Sequence, residues 1–286
     1  MAHLSLNKIK KYLVLLLGGL FALSISGCSH LFYFPSQKTY MRPEQLKLHH
    51  EEVWFENSLN QKIHGWWLPA LTKESKGTFV FFHGNAENLT SHFMNLFWLP
   101  QAGYNYFIFD YPGYGRSQGE PSPKSTTLTG RAAVEWVSKN KDSRPLIIYG
   151  QSLGGIIALR TFLDTKDRIK YKAVIGDNTF SSYRRVARIK LKQNLFTWPL
   201  QPLVFLLLSD RYAPDQDLDK ISPTPFLIIH GQKDFIVEPE NAEHIYKRSL
   251  EPKEIWRIED GFHNDTFWRH DFTYRQKLLD WLHKIP

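Results

Sequence analysis

The sequence predicts an α/β fold with a mostly parallel central sheet flanked by helices, and three observations carry that prediction. From residue 78 onward, apolar runs of strand length alternate with helix-length segments. Two segments separated by a turn precede that alternation. The composition, 42% apolar and 22% charged over 286 residues, is ordinary for a globular chain, which excludes disorder, collagen and coiled coil. It is also long enough to bury a sizeable core.

Residues 1–27 read as a secretory signal. Lys8, Lys10 and Lys11 form a basic lead, and Tyr12 to Ile25 is an apolar core. At about fourteen residues that core is short of the roughly 20 that span a bilayer. Ile25-Ser26-Gly27-Cys28 follows and resembles the bacterial lipobox. The resemblance implies cleavage before Cys28, lipidation of that cysteine through a diacylglycerol thioether and an N-acyl chain, and attachment to a membrane of the bacterial cell envelope. Ser29 in the next position favours the outer membrane. An uncleaved signal anchor and a buried free thiol are the alternatives. Cys28 is the only cysteine, so the chain holds no internal disulfide and no cysteine-rich zinc site. Residues 28–50 read as a lipidated tether, its aromatic Leu31-Phe32-Tyr33-Phe34-Pro35 stretch meeting either the membrane interface or the domain. A single domain is expected over 51–286.

Glu51 to Phe55 and Lys62 to Leu68 flank Asn57-Ser58-Leu59-Asn60 and predict an antiparallel hairpin. Strands are expected at Thr78 to His83, Tyr104 to Asp110, Leu146 to Gly150, Ala173 to Asp177, Phe226 to His230 and Glu254 to Ile258. Helices are expected near 88–102, 124–140, 153–164, 181–208, 240–250 and 270–284. Such alternation places helices on both faces of a parallel sheet. The net charge is +8, but the 33 basic and 28 acidic residues beyond the signal leave only about +5. No nucleic-acid partner is expected from that bias, and no nucleic-acid-binding motif accompanies it.

The chemistry-bearing residues fall in four loops. Gly150-Gln151-Ser152-Leu153-Gly154 follows an apolar strand and opens an apolar helix. In that strand–turn–helix setting the pattern reads as a nucleophile elbow with Ser152 at its strained centre. A serine hydroxyl needs a base, and in elbows of this kind acid and base follow in the order Ser, acid, His. His263, just past the last expected strand, is the candidate base among 12 histidines. Asp234, on the loop after Phe226 to His230, is the candidate acid, with Asp177 the runner-up. Its task is to fix the imidazole tautomer. An oxyanion hole needs two N–H groups. The candidates are Leu153, next to the nucleophile, and Asn85 in His83-Gly84-Asn85-Ala86. His83 reads as a brace of that loop. No metal and no cofactor is implied.

Taken together, Phe82-His83-Gly84-Asn85-Ala86, Asp110-Tyr111-Pro112-Gly113-Tyr114-Gly115-Arg116-Ser117, Gly150 to Gly155, Asn178-Thr179-Phe180, His230 to Asp234 and His263-Asn264-Asp265 form a recognisable set. The chain resembles the serine α/β-hydrolases that include eukaryotic depalmitoylase-like members and their bacterial counterparts. Where relatives often show Glu before Asn-Thr-Phe, this chain has Asp177. The resemblance implies the α/β-hydrolase fold and a membrane-tethered serine hydrolase acting on acyl esters or thioesters.

A short helical cap is expected over about 181–215. It opens on Arg184, Arg185, Arg188, Lys190 and Lys192 and continues into Phe196-Thr197-Trp198 and Leu203 to Leu208. This reads either as a cover over an apolar pocket near anionic headgroups or as a solvated face followed by core. Two other functions stay open. A serine aminopeptidase would need an acidic subsite, for which Glu87 and Glu120 are the available residues, and a binding lipoprotein would keep the fold without turnover.

Overall fold

The computed structural model describes residues 32–141 and 144–286, so the signal segment and Cys28 lie outside the described residues. The strands are β1 (Phe34–Pro35), β2 (Glu51–Glu56), β3 (Lys62–Leu68), β4 (Thr78–Phe82), β5 (Ala86–Glu87), β6 (Asn105–Phe109), β7 (Leu146–Gln151), β8 (Tyr171–Asp177), β9 (Phe226–Gly231) and β10 (Lys253–Ile258). The helices are α1 (Leu89–His92), α2 (Pro123–Asn140), α3 (Leu153–Thr165), α4 (Tyr183–Lys192), α5 (Val204–Leu207), α6 (Glu240–Arg248) and α7 (Thr273–Lys284).

Eight strands form one sheet in the order β10-β9-β8-β7-β4-β6-β3-β2. The β2–β3 hairpin and the β3–β6 pair are antiparallel, and every other pair in the sheet is parallel. The central strands are apolar on both faces because helices cover both. Val80, Phe82, Ile148 and Val174 point to one side, where Ala133, Val134 and Val137 of α2 and Ile156 and Leu159 of α3 meet them. Phe79, Phe81, Ile147 and Ile175 point to the other, against Leu89, Phe93, Leu278 and Leu282. Burying each such side chain contributes roughly 1.5–3 kcal/mol. Helix α2 starts where Ser122 Oγ accepts the Ser125 N–H at 3.1 Å, with Pro123 as its first residue.

Two expected helices are interrupted. The helix expected near 88–102 is α-helical only over Leu89–His92, and a 3-10 turn at Phe93–Asn95 follows. Thr90, Ser91, Phe93 and Asn95 favour helix weakly, so burial of Leu89, Phe93, Leu96 and Leu99 sets the path instead. The long helix expected over 181–208 breaks after α4 into a 3-10 turn at Trp198–Leu203 and the short α5. Asn194 O takes the N–H groups of Thr197 and Trp198 at 3.1 and 2.8 Å, and Pro199 and Pro202 have no N–H to give. The expected tether is, from Tyr33 on, part of the domain surface. Tyr33 is buried, with its hydroxyl 3.3 Å from both Thr126 Oγ1 and Tyr183 Oη. Strand β1 pairs in parallel with β5, and Asn88 Nδ2 donates to Ser36 O and Lys38 O at 2.8 Å. The Tyr33 ring gains more from the domain than a free linker would offer, so of the two surroundings expected for the aromatic stretch it takes the domain.

Candidate active site

Ser152 stands at the turn from β7 into α3 with φ 53° and ψ −122°, a conformation an L-residue adopts only when its surroundings enforce it. The surroundings do so here. The Ser152 N–H donates to Asp177 O at 2.9 Å, and Thr179 Oγ1 donates to Ser152 O at 2.7 Å. A Cβ at Gly154 would lie 2.0 Å from Phe82 O, so only glycine lets α3 start this close to β4.

The structure brings Ser152, His263 and Asp234 together from three loops. His263 Nε2 lies 3.1 Å from Ser152 Oγ, and His263 Nδ1 lies 2.7 Å from Asp234 Oδ2. A carboxylate only accepts, so Nδ1 carries the proton and Nε2 faces the hydroxyl with its lone pair. The Asp234 side chain is fully buried. Its Oδ1 accepts the N–H groups of Ile236 and Val237 at 2.8 and 3.0 Å. Its Oδ2 also accepts Asn178 Nδ2 at 2.6 Å. Burial opposes ionisation, but the His263 hydrogen bond and charge, with the Asn178 amide and the Val237 N–H, outweigh it and hold Asp234 below the ordinary aspartate value. The sequence reading gives Asn178 no role beyond its place in the Asn178-Thr179-Phe180 segment. The signal in the sequence is an Asn, a residue that tolerates positive φ, directly after an apolar strand, and it takes φ 47° there.

Asp177 is placed differently. It is buried beneath the elbow, and Tyr149 Oη donates to its Oδ2 at 2.5 Å. Burial pushes its carboxyl up to about 7, against the hydrogen bond from Tyr149.

Asn85 and Leu153 both line the cleft over Ser152, a cavity of about 150 Å³ walled by Phe32, Phe180, Val186, Ala187, Lys190, Ile236 and Val237. The Asn85 carbonyl is held by the Phe34 N–H at 2.9 Å and by Tyr114 Oη at 2.6 Å. His83 is fully buried, with Nδ1 2.8 Å from Gly84 O and Nε2 3.5 Å from Asp110 Oδ1, and so stands behind the loop rather than in the cleft. Neither Glu87 nor Glu120 lines the cleft, whose one charged residue is the cation Lys190. Among the described residues no cluster of metal-ligating side chains is found.

Comparison with known proteins agrees with the architecture. Residues 77–208 match the family model of the alpha/beta hydrolase fold. The chain is 32% identical over 259 residues to the Escherichia coli protein YfhR, covering 88% of this chain and 86% of YfhR. It is 28% identical over 176 residues to Protein bem46 of Schizosaccharomyces pombe, covering 60% of this chain and 56% of that one. Among solved structures, an esterase of Pyrococcus furiosus superposes with a TM-score of 0.71 at 22% identity, over 89% of this chain and 98% of that one. An eight-stranded sheet of this order, a strained serine where a parallel strand turns into a helix, and a relative aligned over most of both chains lead to one assignment: the chain belongs to the α/β-hydrolase family.

Proposed function

We propose that the protein is a serine hydrolase that cleaves acyl esters or thioesters through an acyl-enzyme, held at a bacterial envelope membrane by a lipid on Cys28. The observation that carries the hydrolytic part is the unbroken relay from Asp234 through His263 to Ser152, at 2.7 and 3.1 Å. Ser152 Oγ attacks the carbonyl carbon while His263 Nε2 takes its proton. The negative charge that forms on the carbonyl oxygen meets the N–H groups of Leu153 and Asn85. Asp234 stabilises the imidazolium without taking its proton. Collapse of the tetrahedral intermediate expels the alcohol or thiol, which leaves with the proton from His263. Water then repeats the sequence on the acyl-serine, with His263 again as base, and frees the acid.

The apolar walls of the cleft favour an acyl group over a peptide. A free α-amine would meet Lys190 there and no carboxylate, which argues against the aminopeptidase alternative. The esterase names of the structural neighbours belong to those proteins and are consistent with this reading. The test compares kcat/KM of the full-length protein, in detergent, for p-nitrophenyl esters, acyl thioesters and aminoacyl arylamides, alongside fluorophosphonate labelling of Ser152→Ala. Ester or thioester turnover that disappears with labelling in Ser152→Ala is expected. Arylamide hydrolysis that outruns every ester would promote the peptidase, and a folded wild-type chain that neither labels nor turns over would promote the binding lipoprotein.

A further inference from the structure

The cap presents an apolar surface that nothing among the described residues covers. Leu195, Phe196, Trp198, Leu200, Phe205 and Leu206 are 83, 88, 57, 45, 51 and 76% exposed. Of the sixteen large apolar side chains that stand exposed among the described residues, these six fall within twelve positions, so they form a patch rather than scatter. Phe235 and Ile236, 70 and 47% exposed, extend it, since Lys190 Nζ bonds the Phe235 carbonyl and ties that loop to α4.

Two features of the molecule say what covers this surface. The first is charge. No Asp or Glu occurs from Asn178 to Ser209, while Arg184, Arg185, Arg188, Lys190 and Lys192 fall within it. Lys190 is answered by Glu238 at 2.6 Å, and Arg184 donates to Leu208 O at 2.8 Å. Arg188 and Lys192 are exposed beside the patch, Arg188 lying 5.4 Å from the Phe205 ring centroid. Apolar and aromatic side chains rimmed by cations fit the boundary between anionic headgroups and acyl chains. The second is the path of the chain. Phe32, where the described residues begin, lines the Ser152 cleft and also a 350 Å³ apolar groove formed with Ala187, Leu191, Leu200, Leu203 and Val204. Cys28 is only four residues upstream, at most about 14 Å of extended chain, so the membrane attachment expected there leaves the domain at the cap.

We infer that the cap, residues 195–206 with Phe235 and Ile236, docks on an anionic lipid bilayer. Its apolar side chains enter the headgroup–acyl boundary, and Arg188 and Lys192 lie among the phosphates. The Ser152 cleft then faces the bilayer. Docking does not depend on hydrolysis and is read without it, so its failure is distinguishable from failure of the esterase reading. The test uses the full chain with an environment-sensitive fluorophore on a single cysteine. One version carries Cys28→Ala with Phe196→Cys. The control carries Cys28→Ala with Asp280→Cys, an exposed position on α7 across the sheet. Both are added to vesicles of phosphatidylcholine alone and of phosphatidylcholine with phosphatidylglycerol in equal amounts, with and without nitroxide-labelled lipid. The probe at 196 is expected to shift to the blue and be quenched by shallow nitroxides with phosphatidylglycerol present, less so at high salt, while the probe at 280 stays in water. A probe at 196 that remains in water, whether or not the chain sediments with the vesicles, overturns the inference. So does a probe at 196 already shielded without lipid in a concentration-dependent way, which would make a second copy the occupant.

Discussion

Asp177 ends β8 and Asp234 follows the adjacent parallel β9, yet their surroundings move the two carboxyl pKa values in opposite directions. Asp234 has four donors on its two oxygens and is held low, while Asp177 has the Tyr149 hydroxyl and deep burial and is pushed up to about 7. Asp234→Asn should therefore lower kcat by about 10⁴, the loss seen when a related triad is left with the wrong imidazole tautomer. Asp177→Asn, which keeps an acceptor for Tyr149, should stay within several-fold of wild type. Steady-state kinetics on folded variants decide between them, and a larger loss at Asp177 would reverse the roles. Asp177 also makes a stability prediction. Its folded pKa lies above its unfolded one near 3.8, so the folded state holds the proton more tightly. Its contribution is most favourable below the unfolded value and falls as pH rises to about 7, by up to about 1.4 kcal/mol per unit. Urea unfolding of Asp177→Asn between pH 4 and 7 should show a flatter decline than wild type. An identical slope would mean that Asp177 is ionised throughout that window.

Two small elements shape the cleft from outside the main sheet. The β1–β5 pair and Tyr114 both hold the Asn85 carbonyl, which pins the peptide adjoining the one whose N–H is expected to serve the oxyanion. Tyr114→Phe removes one of those bonds while leaving the ring. It should lower kcat about tenfold with KM little changed, less than the 10²–10³ for deleting a donor itself. An equal rise in KM with kcat intact would assign Tyr114 to binding instead. Phe32 stands at the junction of the 150 Å³ cleft, the 350 Å³ groove and a further 410 Å³ cavity lined by Tyr183, Arg184 and Tyr212. Phe32→Ala should open these into one another and move the kcat/KM optimum toward longer acyl esters, at about 0.8 kcal/mol per methylene newly buried. A series of p-nitrophenyl esters reads this directly, and an unmoved optimum would show that the acyl chain takes another route.

At the scale of the molecule, the parallel sheet collects Asn85, Ser152, Asn178, Asp234 and His263 at the carboxyl ends of its strands, the edge where α/β sheets bind ligands. The cap and the N-terminal stretch close over that same edge. Attachment at Cys28 would hold it toward the bilayer, and this has its own test. Mass spectrometry of the mature N-terminus should find an acylated cysteine as the first residue, and Cys28→Ala should leave an unprocessed, unacylated precursor. An intact N-terminus with an unmodified Cys28 in the wild-type chain would end the lipoprotein reading.

The sequence alone determined the strands of the core and the elbow, because both are written in neighbouring residues. Val80 and Phe82 alternate with Phe79 and Phe81 at the two-residue period of a strand, and Gly150 to Gly154 makes its turn from consecutive positions. Local pattern also pointed to His263 and to Asp234 as the acid, with Asp177 as the runner-up. Only the tertiary structure decided which aspartate meets the imidazole, since that depends on three loops converging and on which carboxyl keeps enough donors to stay charged once buried. The same holds for Asn178 on Asp234 and for the interrupted helices at 88–102 and 181–208, where packing and proline outweighed an apolar pattern. It holds for Tyr33 as well: an aromatic side chain invites burial, but the surface that buries this one is assembled from Thr126 and Tyr183, more than fifty positions away.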